Sequence, residues 1–94
     1  MRLIEQQMNE AITTKAVHWT KDNTDVMYLV NIAQSYIYVH GKPIALYDHN
    51  SARVVPDLDT LATWPTVTTK SRLRALGVDV ATRKGVTYVN GVEV

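Results

Sequence analysis

The residues best equipped for chemistry lie together in Thr66-Val67-Thr68-Thr69-Lys70-Ser71-Arg72-Leu73-Arg74-Ala75-Leu76-Gly77. Hydroxyls open this segment, and Lys70, Arg72 and Arg74 follow within five residues. Read as a helix, it begins with unpaired backbone N–H groups and a partial positive charge. Thr68, Thr69 and Ser71 hydroxyls, the Lys70 ammonium and the Arg72 guanidinium around that terminus outline an anion site, with phosphate the fitting guest. Arg72 would fork onto two oxygens, and Lys70 would act as a point charge. Leu73 and Leu76 must face the core, so Arg72, four residues before Leu76, is expected at the boundary of that face, where a cleft would open. The plainer reading is an amphipathic helix with a solvated cationic face.

No constellation for catalysis accompanies it. His18, His40 and His49 fall in three separate contexts with no i,i+4 pair, and Asp57 and Asp59 sit two apart in an acidic stretch that reads as a solvated loop. No glycine-rich phosphate loop occurs. The expectation is a binding protein and not an enzyme, with no metal and no cofactor. Tyr36 and Tyr38 alternate along a strand and offer either stacking surfaces for a base or half-buried packing. His40 beside Gly41 reads as a turn residue, and Trp64 before Pro65 as a core plug or, alternatively, an exposed anchor.

Composition narrows the setting. Ninety-four residues make one small domain, residues 1–94, whose folding hides only roughly 60–65% of the unfolded surface. Added stability is expected from association. The chain has no cysteine, which removes disulfides and thiolate chemistry and fits a reducing compartment. No apolar run approaches a membrane span, and Met1-Arg2-Leu3-Ile4-Glu5-Gln6 is too polar for a signal peptide, so a cytoplasmic protein is expected. The formal charge of +1 argues against a grip on extended nucleic acid. Locally, residues 70–84 hold five cations against one acid, Asp79, which suits a small anion. Phenylalanine is absent while tyrosine occurs five times beside Trp19 and Trp64, so every aromatic ring carries a polar handle.

The elements that must position these groups follow from periodicity. Residues 2–15 place Ile4, Met8, Ala11 and Ile12 on one helical face, with Glu5, Asn9 and Glu10 outward. Lys21-Asp22-Asn23-Thr24 reads as a turn, and 25–30, 36–40, 44–47 and 52–55 as strands split by short polar breaks. Tyr36, Tyr38 and His40 share one strand face, Ile37 and Val39 the other. His40-Gly41-Lys42-Pro43 is a tight reversal. Residues 56–65 read as a loop with at most a helical turn near Leu58–Leu61, and a helix is expected from about Thr69 to Leu76, ended by Gly77. Strands at 78–80 and 85–89 and an Asn90-Gly91 hairpin close the chain. The expected class is α+β: N-terminal helix, antiparallel β meander, one later helix, C-terminal β-hairpins.

Asn23-Thr24-Asp25-Val26, Tyr38-Val39-His40-Gly41-Lys42-Pro43-Ile44-Ala45 and Trp64-Pro65-Thr66-Val67-Thr68-Thr69-Lys70-Ser71-Arg72-Leu73-Arg74-Ala75-Leu76, with Glu5-Gln6-Gln7-Met8 before them, resemble small bacteriophage proteins of the Thoeris anti-defence (type one) family. The resemblance spans roughly residues 4–89. It implies a sponge in the host cytoplasm that binds a cyclic ADP-ribose signal, and in some members a cyclic oligonucleotide at separate sites, without cleaving it. It further implies that Arg72 grips phosphate with Thr68 and Thr69, that His40 and Gly41 shape the wall, and that a tyrosine covers a base or ribose. A homo-oligomer, a dimer or higher up to a hexamer, would complete the pocket. The family pattern carries asparagine where this chain has Lys42 and Arg74, so both departures add positive charge. Two other classes remain: a binder of a host protein through Trp19, Trp64 and the tyrosines, and a small nucleic-acid binder using Lys70, Arg72, Arg74, Arg83 and Lys84, whose affinity would fall steeply with salt.

Overall fold

The computed structural model, which describes all 94 residues, opens with helix α1 (Leu3–Thr13) and then changes to sheet. Strands β1 (His18–Lys21), β2 (Thr24–Leu29), β3 (Gln34–Val39), β4 (Lys42–Asp48) and β5 (Arg53–Pro56) pair antiparallel in sequence order. Helices α2 (Leu58–Thr63) and α3 (Val67–Ala75) follow, and β6 (Val80–Arg83), β7 (Val86–Val89) and β8 (Val92–Glu93) form a second antiparallel sheet. The α+β class read from the sequence is the observed one.

Several details differ. Residues His18–Lys21, of which only Lys21 is assigned from sequence, and that to a turn, form an edge strand, because Trp19 pairs with Val26 and joins the core side of the sheet. There are two later helices where one was expected. Asp57, read as a loop acid, caps α2 by accepting from the Thr60 N–H at 3.0 Å, and Leu61 is drawn fully into the core. Helix α3 begins at Val67, two residues earlier than expected, because Thr66 caps it through the Thr69 N–H at 3.1 Å. Trp64 is not a core plug: it is 50% exposed, since Leu61 already fills the space beneath.

The core is one cluster. Met8, Ala11 and Ile12 of α1, Leu61 of α2 and Leu73 of α3 pack on Val26, Ile37, Val39, Ile44 and Ala45, with Val80 and Val89 from the second sheet. Strand alternation puts Thr24, Val26, Ser35, Ile37 and Val39 on this helix-covered face, and a bulge after Ile37 lets Ile44 and Ala45 both turn inward. The β3–β4 reversal uses His40 and Gly41 with φ of +51° and +75°. Both central residues of this tight turn sit in the left-handed region, which matches strand twist.

Glu5 and Arg72 correct the sequence reading most. Glu5, expected outward, is 4% exposed, and Arg72, expected at a cleft boundary, is also 4% exposed. The Arg72 Nη1 donates to Glu5 Oε2 at 2.9 Å and its Nε to Thr24 Oγ1 at 3.0 Å. The Ser71 hydroxyl donates to the same Glu5 oxygen, and the Arg2 N–H reaches the other at 3.4 Å. Glu5 therefore stays ionised. Burial pushes its pKa up, but the hydrogen bonds from Ser71, Arg72 and Arg2 and the Arg72 charge outweigh it, leaving the carboxyl below its ordinary 4.5. Lys70 Nζ donates to Thr82 Oγ1 at 2.6 Å and Arg74 Nε to the Val80 carbonyl at 2.8 Å. All three cations of α3 thus bind the fold.

At the other end of the sheet, His49 Nε2 meets the hydroxyl of fully buried Ser35 at 2.7 Å between the Tyr28 and Tyr47 rings. Burial, then the Lys15 charge, hold its pKa below 6.5 against the pull of Asp48.

Two outcomes are expected. Arg72→Ala leaves a buried carboxylate unpaired and costs about 3–5 kcal/mol in urea unfolding, whereas Glu5→Met/Arg72→Met costs less than either single change. The stability that Glu5 contributes is present above pH 4.5 and lost as pH falls through its lower folded pKa; Glu5→Gln removes that acid limb. For His49, proton NMR titration should place the midpoint below 6.5. Its contribution to stability is likewise present above its unfolded pKa and lost as pH falls through the folded one.

Candidate functional site

A cleft of about 240 Å³ opens where the β3–β4 turn, the end of α2 and the start of α3 converge. Val39, His40 and Lys42 form one wall, Thr60 and Trp64 the second, Thr66 and Thr69 the third. Local sequence dictates each placement. The left-handed His40-Gly41 pair turns the chain back within two residues, so His40 and Lys42 project side by side from one hairpin tip. The Trp64 N–H closes α2 on the Thr60 carbonyl at 2.8 Å, and Pro65 then forces the chain out of helix. Thr66 restarts it as a cap. Its hydroxyl lies 3.0 Å from that of Thr69, and the hydroxyls of the two line the cleft.

The start of α3 gives the cleft a positive end, with the exposed Asp59 carboxylate near Lys42 and Trp64 on its outer side. Thr66 takes the Thr69 N–H on its side chain and the Lys70 N–H on its carbonyl, which leaves the N–H groups of Val67 and Thr68 without an intrahelical acceptor. The α3 dipole points its positive end at the same place. Lys42 Nζ stands 4.2 Å above the centroid of the Trp64 ring, a cation–π pair on an indole that is half exposed. His40 is held by backbone and side chain alike: its N–H donates to the Asn23 carbonyl at 2.8 Å, and its Nε2 lies 3.5 Å from Asn23 Nδ2. A cation, an imidazole, two hydroxyls and an aromatic face therefore border one opening.

Of the residues singled out from sequence, His40, Trp64 and Thr69 line this cleft, Gly41 forms its hairpin tip, and Thr68 lies on the first turn of α3. Arg72, Ser71 and Lys70 do not. Arg72 and Ser71 are spent on Glu5, and Lys70 reaches toward the second sheet. Tyr38, paired with Asp25 and Pro43, lies on the sheet face that the helices do not cover. Lys42, Thr60 and Thr66 are the residues missed. Lys42 was signalled only as added charge, whereas Thr66 could have been found from its place just before a helix, where threonine is a preferred cap.

The nearest thing to a nucleophile and base is the Ser35–His49 pair, and Ser35 is fully buried. No group of three His, Asp or Glu side chains is gathered in one place. No helix is long and apolar enough to cross a membrane.

No curated protein and no solved structure matches the chain. A family model described as Kyanoviridae Gp96 protein matches residues 1–94. Matched over its whole length, the chain belongs to the Kyanoviridae Gp96 protein family, a family of phage proteins.

Proposed function

We propose that this phage protein binds a nucleotide-type signal, of the cyclic ADP-ribose or cyclic oligonucleotide class, and holds it intact as an anti-defence sponge. The observation that carries the reading is the cleft at the start of α3, where Lys42, His40 and the Thr66 and Thr69 hydroxyls face one another beside the exposed ring of Trp64. Phosphate takes the helix terminus and Lys42, and a base or ribose lies against the indole. Arg72 is a positioning residue in this account and not the phosphate grip that the family resemblance implies, because its guanidinium is buried and bound to Glu5 and Thr24. At about 240 Å³, the cleft holds one phosphate and one ring and leaves the rest of a cyclic ligand outside. In this reading the cleft retains its ligand and does not turn it over.

The test mixes the purified protein with cyclic ADP-ribose isomers and cyclic di- and trinucleotides, measures binding by calorimetry, then heat-denatures the complex and identifies what is released. Intact ligand is expected. Lys42→Ala should weaken binding by about 10-fold or more, the value of one charge-assisted hydrogen bond, and Trp64→Ala by a similar factor through lost stacking. Degraded ligand would make the protein a hydrolase. No binding at micromolar concentration would overturn the reading, and a stoichiometric host protein captured through Trp64 would replace it.

A further inference from the structure

The five-stranded sheet is covered by helices on one face only. Across its other face the strand registers align His18, Met27, Tyr36, Leu46 and Val55 as neighbours in one row from β1 to β5. From β2 to β5 that row carries no formal charge. Met27 is 40% and Val55 49% exposed, and Leu29 and Leu58 beside them are 38% and 46% exposed. A groove of about 400 Å³ runs between Tyr36, Leu46, Val55 and Leu58, with Asp57 and Asp59 at its α2 end. The charged groups of this face lie outside that row: Asp25, Asp48 and Arg53 in the rows to either side, and Asp57 and Asp59 beyond β5 at the start of α2.

We infer that this face pairs with the same face of a second copy, making a two-fold dimer with a sheet-on-sheet interface. Strand spacing and residue rise give the face a footprint of roughly 24 by 20 Å. That is about 500 Å² in projection, and side-chain relief raises it towards the roughly 800 Å² per partner of a standard interface. Two sheets packed this way interdigitate side chains at about 10 Å separation. A second copy offers a surface of equal extent and equal polarity, with a charge-free centre and charged flanks, and a two-fold axis makes every contact twice. Large exposed apolar patches on a small domain mark such interfaces. The groove adjoins the ligand cleft near Pro43 and Asp59 but shares no lining residue with it, and this inference does not rest on the ligand reading.

Sedimentation equilibrium of the full chain at micromolar concentration should return twice the 10.6 kDa chain mass. Met27→Lys/Val55→Lys changes side chains that the monomer already exposes. It should keep the circular dichroism spectrum and raise the dimer Kd by about 100-fold, while Val67→Lys, exposed elsewhere, leaves the Kd unchanged. The chain has no cysteine, so Tyr36→Cys places a single thiol in the centre of the face and should give cross-linked dimer with a short bis-maleimide, where Val67→Cys does not. A monomer at 100 µM overturns the inference. So does an oligomer indifferent to Met27→Lys/Val55→Lys and uncross-linked through Tyr36→Cys.

Discussion

The buried pair between Glu5 and Arg72 is the constraint from which the rest of the arrangement hangs. Two charges removed from water must find nearly complete compensation, because the desolvation of each costs several kcal/mol and their mutual attraction returns it only when geometry and further hydrogen bonds are good. Here Ser71 and the Arg2 N–H add hydrogen bonds to the carboxylate, and Thr24 adds one to the guanidinium. Three elements are thereby locked in relative position: α1 through Glu5, α3 through Arg72 and Ser71, and β2 through its first residue, Thr24. A hydrophobic triplet of the same volume would pack those elements as tightly without fixing one register among them. No buried side-chain nitrogen or oxygen is left without a partner.

The network also reaches the cleft. Thr24 accepts from Arg72 and donates its own hydroxyl hydrogen bond to Asn23 Oδ1 at 3.0 Å, and the Asn23 carbonyl accepts from the His40 N–H while its side chain lies beside the His40 ring. A chain of hydrogen bonds therefore runs from the core ion pair through the β1–β2 turn to the hairpin tip that walls the site. The Asn23-Thr24 and Thr-Thr-Lys-Ser-Arg segments, far apart in sequence, belong to one device. The arginine that looks like a ligand-binding group is instead one that sets where the cleft residues stand.

Much of the fold was legible because it rests on local rules. Alternation of Tyr36, Ile37, Tyr38 and Val39 told the two faces of β3 apart, the His40-Gly41 and Asn90-Gly91 pairs announced tight hairpins, and Gly77 ended α3 at a φ of +94°. What escaped depended on distant partners. Strand β1 has little apolar periodicity and exists because β2 offers it an edge. Glu5 was read as outward by its charge, yet it precedes Ile12 by seven residues, nearly two whole turns, and so lies on the same face. A carboxylate on an apolar stripe signals a buried partner, and Arg72 was the cation waiting for one. Lys42 was noticed only as extra charge because its neighbour Trp64 is twenty-two residues away in sequence and 4.2 Å away in space.

The division of apolar surface explains why so short a chain carries both a binding cleft and an uncovered sheet. A domain of this size buries a limited fraction of its surface, and here the inward rows of β2, β3 and β4 use up the three helices. No element remains to cover the outer face, since the chain's last strands form a sheet of their own beside α3. Helices that leave the outer face open also bring the end of α2 and the start of α3 against the β3–β4 turn, which makes the cleft. Moving α2 or α3 across to shield Met27, Tyr36 and Leu46 would separate Trp64 from Lys42 and Thr66 from His40. The open face is the structural cost of assembling that cleft from one small domain, and the proposed face-to-face pairing of two copies would remove the cost without disturbing the cleft.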